Sequence, residues 1–174
     1  WLLTGMSGQG AIARMVVGST THKLAHNPPC SMGVIHPDAF DWDGELEFVA
    51  GLDFSDTSRK SLGLAIAMAK QVGAKLHIMH IVYPPGPVAL PDGFVGYSGG
   101  EYQQLQTVRV RAEEDMERLL EDFAAKLEDI DWTSEVQTGY PTREIVAYAE
   151  EEGCDGIFLG TVGRSGFDDF ILGS

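Results

Sequence analysis

Two stretches of this chain set glycines and hydroxyl side chains at one spacing. Gly5-Met6-Ser7-Gly8 is followed, after nine residues, by Gly18-Ser19, and Gly160-Thr161-Val162-Gly163 is followed, after nine, by Gly173-Ser174. Each copy comes after a short apolar run, Trp1-Leu2-Leu3 and Gly156-Ile157-Phe158-Leu159, which reads as a buried strand. Glycines at a strand-to-loop turn admit φ > 0 and let backbone amides approach an anion closely. A Gly-Ser pair that opens a helix adds free N–H groups suited to phosphate. One such glycine pair carries little weight in a chain with 21 glycines, but two copies at one spacing carry more. Ser19, Thr20 and Ser174 can cap a helix or bind phosphate; the roles are compatible, because the same amides serve both.

A carboxylate belongs beside these loops. Leu46–Asp53 reads as a strand ending at Asp53, where the side chain can accept hydrogen bonds from ribose hydroxyls or simply shape a turn. Ser55 can cap the helix that follows, whose Leu62, Ile66 and Ala69 recur at helical spacing up to a stop at Gly73. Leu76–Val82 is nearly all apolar and suits a central parallel strand covered on both faces. Residues 84–100, rich in Pro and Gly, read as a long loop, either a lid near a ligand or a surface loop. Leu105, Val108, Ala112, Met116, Leu119, Phe123 and Leu127 trace the clearest amphipathic helix. Thr133–Thr138 is polar, as an edge strand would be, and Pro141 suits the first turn of a helix that buries Ile145, Val146 and Ala149 and ends at Gly153. Gly156–Gly160 is the last strand. Near the start, a helix from Ser19 or Thr20 to about Asn27 leads to a short strand, Cys30–Ile35. Strands alternating with helices predict an α/β fold, a doubly wound parallel sheet. Ligands of such sheets bind beyond the carboxyl ends of the strands, where the strand order reverses. Asp53 and Gly160 both fall at such ends.

Gly160 to Ser174, with Arg164-Ser165-Gly166 inside it, resembles the nucleotide-binding signature of universal stress proteins, and so does Gly5 to Ser19. The resemblance implies a five-stranded sheet in the order 3-2-1-4-5. It implies an ATP site, with or without Mg2+, built from Asp53, a backbone group at Ile81, and Gly160, Gly163, Arg164, Gly173 and Ser174. An equivalent set in the first copy is Gly5, Gly8, Gly18, Ser19 and Thr20, with Gln9 in place of Arg164. Gly139-Tyr140-Pro141 is similar to the family's Gly-x-Pro. The resemblance divides the chain into residues 1–36, the end of a first domain; 37–45, a linker; and 46–174, a second domain lacking its last helix and strand. It implies a regulatory role in stress response, and a homodimer or pseudo-dimer formed through the terminal strand. We expect residues 1–36 to cover the open edge of Gly156–Gly160 with Cys30–Ile35, within one chain or by exchange between two chains, and Gly156–Gly160 to displace Trp1–Thr4 from the place beside the first strand.

Composition narrows the alternatives. Twelve basic residues against 26 acidic ones give a formal charge of −14, which disfavours nucleic acid and anionic membranes as partners. Cys30 and Cys154 lack metal-ligand spacing, read as small buried residues, and suit a reducing cytoplasm. His77 and His80, in an apolar strand with no paired ligand nearby in sequence, read as structural histidines and not as metal ligands. Glu150-Glu151-Glu152 reads as a solvated helix end. No P-loop or catalytic triad pattern appears. A slow ATP hydrolase or self-phosphorylating enzyme, and a dimerisation module without nucleotide, are the alternatives; no catalytic residue is assigned to either.

Overall fold

The structure, a computed structural model, describes residues 2–5, 19–26, 30–35, 44–84, 88–89, 95–96 and 99–160. They fall into two compact units that divide at Gly44 and Glu45.

The first unit is one strand–helix–strand repeat. Strand β1 (Leu2–Gly5) leads through α1 (Ser19–His26) to β2 (Met32–Ile35). The two strands pair in parallel, with Leu2 opposite Met32 and Gly5 opposite Ile35. The strand expected to cover the edge of Gly156–Gly160 thus has Leu2–Gly5 as its partner within this unit, while Gly156–Phe158, and not Leu2–Gly5, lies beside Glu47–Leu52, as expected. The physical reason is local. A crossover of some two dozen residues closes this pair at little loop entropy, whereas pairing with the later strand needs a far longer closure.

The second unit holds β3 (Glu47–Leu52), α2 (Asp56–Val72), β4 (Lys75–Val82), the short antiparallel pair β5 (Val88–Ala89) and β6 (Val95–Gly96), α3 (Gly99–Leu127), β7 (Trp132–Thr138), α4 (Pro141–Glu151) and β8 (Gly156–Phe158). Four strands form a parallel sheet in the order β7-β4-β3-β8. In strand count from β3 this is 3-2-1-4; a fifth strand of the expected order is not among the described residues.

Period-two alternation assigns the two faces. Phe48, Ala50, Leu52, Leu76 and Ile78 point to one side and pack with Leu62, Ala65, Ile66 and Ala69 of α2 and Met116, Leu119, Phe123 and Leu127 of α3. Val49, Met79 and Ile81 point to the other and pack with Ile145 and Ala149 of α4. Local chemistry sets the helix ends. Ser55 caps α2 by accepting the Ser58 amide, and Gly73 closes it at φ 73°, a left-handed position that favours glycine. Pro141 opens α4, where a missing N–H costs nothing.

Three expectations shift. Helix α3 begins at Gly99, inside the stretch expected to be loop, and that loop also contains the β5–β6 pair. Val108 and Val146, expected in the core, are exposed, because the apolar stripe of each helix is narrower than the spacing of its apolar residues suggests. Cys30 is exposed and Cys154 only partly buried.

A contrast within α3 tests this arrangement. Leu119 is fully buried, so Leu119→Ala should cost about 2–5 kcal/mol in urea unfolding, through lost transfer energy and a cavity. Val108→Ala should cost no more than about 0.5 kcal/mol.

Candidate functional site

The carboxyl end of β3 is built from hydroxyl groups. Asp53 follows the strand directly, and its Oδ1 accepts from the Ser55 amide at 3.0 Å and the Ser55 hydroxyl at 2.5 Å. Ser55 Oγ in turn accepts the Ser58 amide at 3.2 Å and lies 2.9 Å from Thr57 Oγ1. Ser58, buried, donates its hydroxyl to the Ser55 carbonyl at 3.0 Å, and the Asp53 amide reaches Ser58 Oγ at 3.4 Å. Asp53 is therefore a turn residue, held by Ser55. Between them Phe54 adopts φ 61°, a left-handed conformation uncommon for a bulky residue. Its ring lies on the His80 ring with centroids 4.4 Å apart. His80 Nδ1 contacts the Leu52 carbonyl at 2.8 Å; since a carbonyl only accepts, Nδ1 carries the proton.

Gly160 reaches the same point from β8. A Cβ on Gly160 would lie 2.8 Å from the Ser58 amide nitrogen and 3.0 Å from the Thr57 carbonyl carbon. Only a residue without a side chain fits there, because the obstacle is backbone. So the carboxyl ends of β3 and β8, with Asp53 and Gly160, converge on the first turn of α2. Between these two strands the order also reverses, since the chain runs β3-β4-β7 one way and places β8 on the other.

Ile81 is buried in the α4-side core, so a ligand can meet only its backbone. Its direction follows from its neighbours. The Lys75 amide bonds the Leu46 carbonyl on the β3 side, while the Leu76 amide bonds Asp131 and the Val82 carbonyl accepts from Gly139 on the β7 side. Alternation turns the Ile81 peptide groups toward β3, whose pairing with β4 stops at Leu52 and His80. Tyr83 and Tyr140, both exposed, flank this end with ring centroids 5.2 Å apart. A hydrogen bond with Tyr140 raises the Tyr83 hydroxyl above its ordinary value.

In the first unit, Gly5 closes β1, and its carbonyl accepts from the Thr21 hydroxyl at 2.9 Å. Thr21 is buried and lies 3.0 Å from Thr4 Oγ1. The first turn of α1 thus meets the end of β1. Gly8, Gly18, Gly163, Arg164, Gly173 and Ser174 lie outside the described residues. Sequence reasoning missed Thr21, Ser58 and Phe54. The hydroxyl-rich run Ser55-Asp56-Thr57-Ser58 was a legible signal for the second.

The sheet's other end carries a polar cluster. His77, buried, sets Nε2 at 2.6 Å from Glu47 Oε2 and Nδ1 at 2.9 Å from both Thr133 Oγ1 and Tyr148 Oη. The His77 hydrogen bond, ahead of the nearby Lys75 charge, holds the Glu47 carboxyl below the usual range. Burial, then the Glu135 and Glu152 charges, pushes the Tyr148 hydroxyl up to about 12. Burial, then Glu47 and Glu152, pushes the Cys154 thiol up to about 11.

Comparison with known proteins decides the family. A sequence model described as the universal stress protein family matches residues 47–174. The chain belongs to the universal stress protein family. A universal stress protein of Mycobacterium tuberculosis is 25% identical over 99% of the chain, which spans 55% of that relative's length. A solved UspA of Lactobacillus plantarum shares the fold with a TM-score of 0.61 at 21% identity, over 76% of this chain and 88% of that one. A universal stress protein of Archaeoglobus fulgidus does so with a TM-score of 0.60 at 22% identity, over 99% of this chain and 55% of that one. The chain thus spans about half the length of the curated relatives it first matches.

The Gly160 contact yields a prediction for this universal stress protein. Gly160→Ala should destabilise it by about 1–3 kcal/mol, since helix backbone cannot yield to a new methyl group. Gly100→Ala, at a position with nothing within 4 Å, should not lower the urea midpoint.

Proposed function

We propose that this universal stress protein binds an adenine nucleotide, ATP with or without Mg2+, and acts as a regulatory module in stress response. The observation that carries the reading is the convergence of Asp53 and Gly160 on Ser58, at the switch point of the sheet. Each part then has a role. Asp53 accepts from the ribose hydroxyls while its Oδ1 keeps Ser55. The Ile81 carbonyl, facing the end of β3, accepts the adenine amino group; guanine presents a carbonyl there and is refused. The glycine run that starts at Gly160 brings Gly163, Arg164, Gly173 and Ser174 to the phosphates, and Gly5, Gly8, Gly18, Ser19 and Thr20 form the equivalent cradle of the first copy.

The relatives' length favours a tandem protein, in which residues 1–36 end one domain, 37–45 link, and 46–174 form most of the next. The β8 edge favours association with a second copy or domain. Among the described residues β8 has one strand neighbour, β3, and Ile157 within it and Leu159 just after it are 44% and 41% exposed.

Calorimetry with ATP, adenosine and GTP tests the nucleotide reading. ATP should bind more tightly than adenosine, and GTP at least tenfold more weakly than ATP. Asp53→Asn keeps the Oδ1 acceptor for Ser55 and removes the charge, so it should weaken ATP by about 1–3 kcal/mol without unfolding the chain. Equal affinity for adenosine and ATP would remove the glycine loop from the site; undiminished binding by Asp53→Asn would leave Asp53 a turn residue only.

A further inference from the structure

The polar cluster at the amino ends of the strands lies some six strand residues, about 20 Å, from Asp53 along β3. It is separate from the proposed nucleotide site and independent of that reading. Glu47, His77 and Glu152 each bring one ligand atom to a common point, all within 4.8 Å of one another. The three come from β3, β4 and the residue capping α4, so the fold, and not local spacing, assembles them.

Three observations point to a cation. The imidazole is buried and oriented from both sides. Its Nε2 faces Glu47, and its Nδ1 faces the hydroxyls of Thr133 and Tyr148. A metal-bound histidine needs such an outer acceptor for its second N–H, and a hydroxyl can reverse its role to supply one. Second, the charge is unbalanced: Glu47, Glu135 and Glu152 bear on this cluster, while Lys75 stands 3.5 Å from Glu47. Third, Glu135 Oε1 is buried with no hydrogen-bond partner among the described residues, on the sheet face that carries His77 and Thr133.

We propose that Glu47, His77 and Glu152 hold a divalent transition-metal ion of the zinc class, which ties the end of α4 to the starts of β3 and β4. One imidazole nitrogen and two carboxylates suit such an ion better than Mg2+ or Ca2+, which take oxygen ligands. Ligands about 2.0–2.1 Å from a tetrahedral ion stand about 3.4 Å apart. The 2.6 Å His77–Glu47 contact must therefore open slightly, by rotation of the glutamate, while Glu152 closes in. The imidazole changes tautomer as the ion binds: one proton leaves Nε2, one is taken up from solvent at Nδ1, and Nδ1–H then donates to Thr133. Lys75 opposes the ion and turns away from Glu47.

Cobalt(II) titration of the 174-residue chain in excess Mg2+, read by visible absorption and by calorimetry, tests this. One equivalent should bind saturably, and zinc should displace it. Glu152→Gln, at an exposed position, should weaken binding at least fivefold with an unchanged circular dichroism spectrum, and His77→Gln should do the same where it folds. Lys75→Gln should tighten binding at least threefold, an effect that a merely structural ion pair between Lys75 and Glu47 would not produce. Absence of a saturable equimolar site, or a loss below fivefold in Glu152→Gln, overturns the proposal.

Discussion

The first turn of α2 is the point on which this molecule turns. Thr57 and Ser58 present bare backbone to Gly160, and Ser58 sits beneath Asp53. Two consequences follow from the geometry. The β8 strand can sit beside β3 only if its carboxyl end passes this turn, and it passes only as glycine. And the free amides of a helix start must be answered by something. Here Ser55 answers one of them, and is itself held by Asp53. A side chain that orients the cap, a cap that orients the helix and a glycine that lets the neighbouring strand approach form one chain of dependence.

The strained conformation at Phe54 belongs to the same arrangement. A left-handed bulky residue costs of order 1–3 kcal/mol and survives only where its surroundings over-determine it. Here they do. The ring is held against His80, His80 is held by the Leu52 carbonyl, and Asp53 and Ser55 are locked on either side. The turn ends β3 abruptly, and that ending leaves the Ile81 peptide of β4 without a strand opposite it.

Much of this was legible beforehand, and for identifiable reasons. Three strands of the second unit follow from apolar runs and the fourth from its polar, edge-like character, and the helices follow from Ser55 and Pro141 as starts and Gly73 as a stop. These are local signals with local causes. The convergence of Asp53 and Gly160 was legible only as a consequence of parallel topology, since 107 residues separate them. What was not legible depends on packing. Val108 and Val146 carry the right period but lie at the margins of their stripes, and no pattern of types says how wide a stripe the neighbouring element covers. Gly99 and Gly100 read as loop, yet they lie in the first turn of α3, exposed and with nothing within 4 Å of a Cβ added at either. The pairing of β2 with β1 follows from a short crossover that closes at little loop entropy.

The His77 cluster shows the same limit from the other side. In sequence, His77 sits between Leu76 and Ile78 with no ligand within reach, so a satisfied core histidine was the economical reading. It is satisfied, but by Glu47 thirty residues earlier and by Thr133 and Tyr148 far later. Each of those faces it because strand alternation and the seat of α4 put it there. A buried imidazole with both nitrogens engaged is expensive to assemble, since each unmet polar group in the interior costs about 1–3 kcal/mol. The sheet therefore carries polar chemistry at both ends. At the carboxyl end, Asp53, the hydroxyls of Ser55 and Ser58, and Gly160 meet at the first turn of α2. At the amino end, carboxylates gather around one imidazole, which suits a cation. The parallel sheet makes this division natural, because every strand presents its amino end to one rim and its carboxyl end to the other.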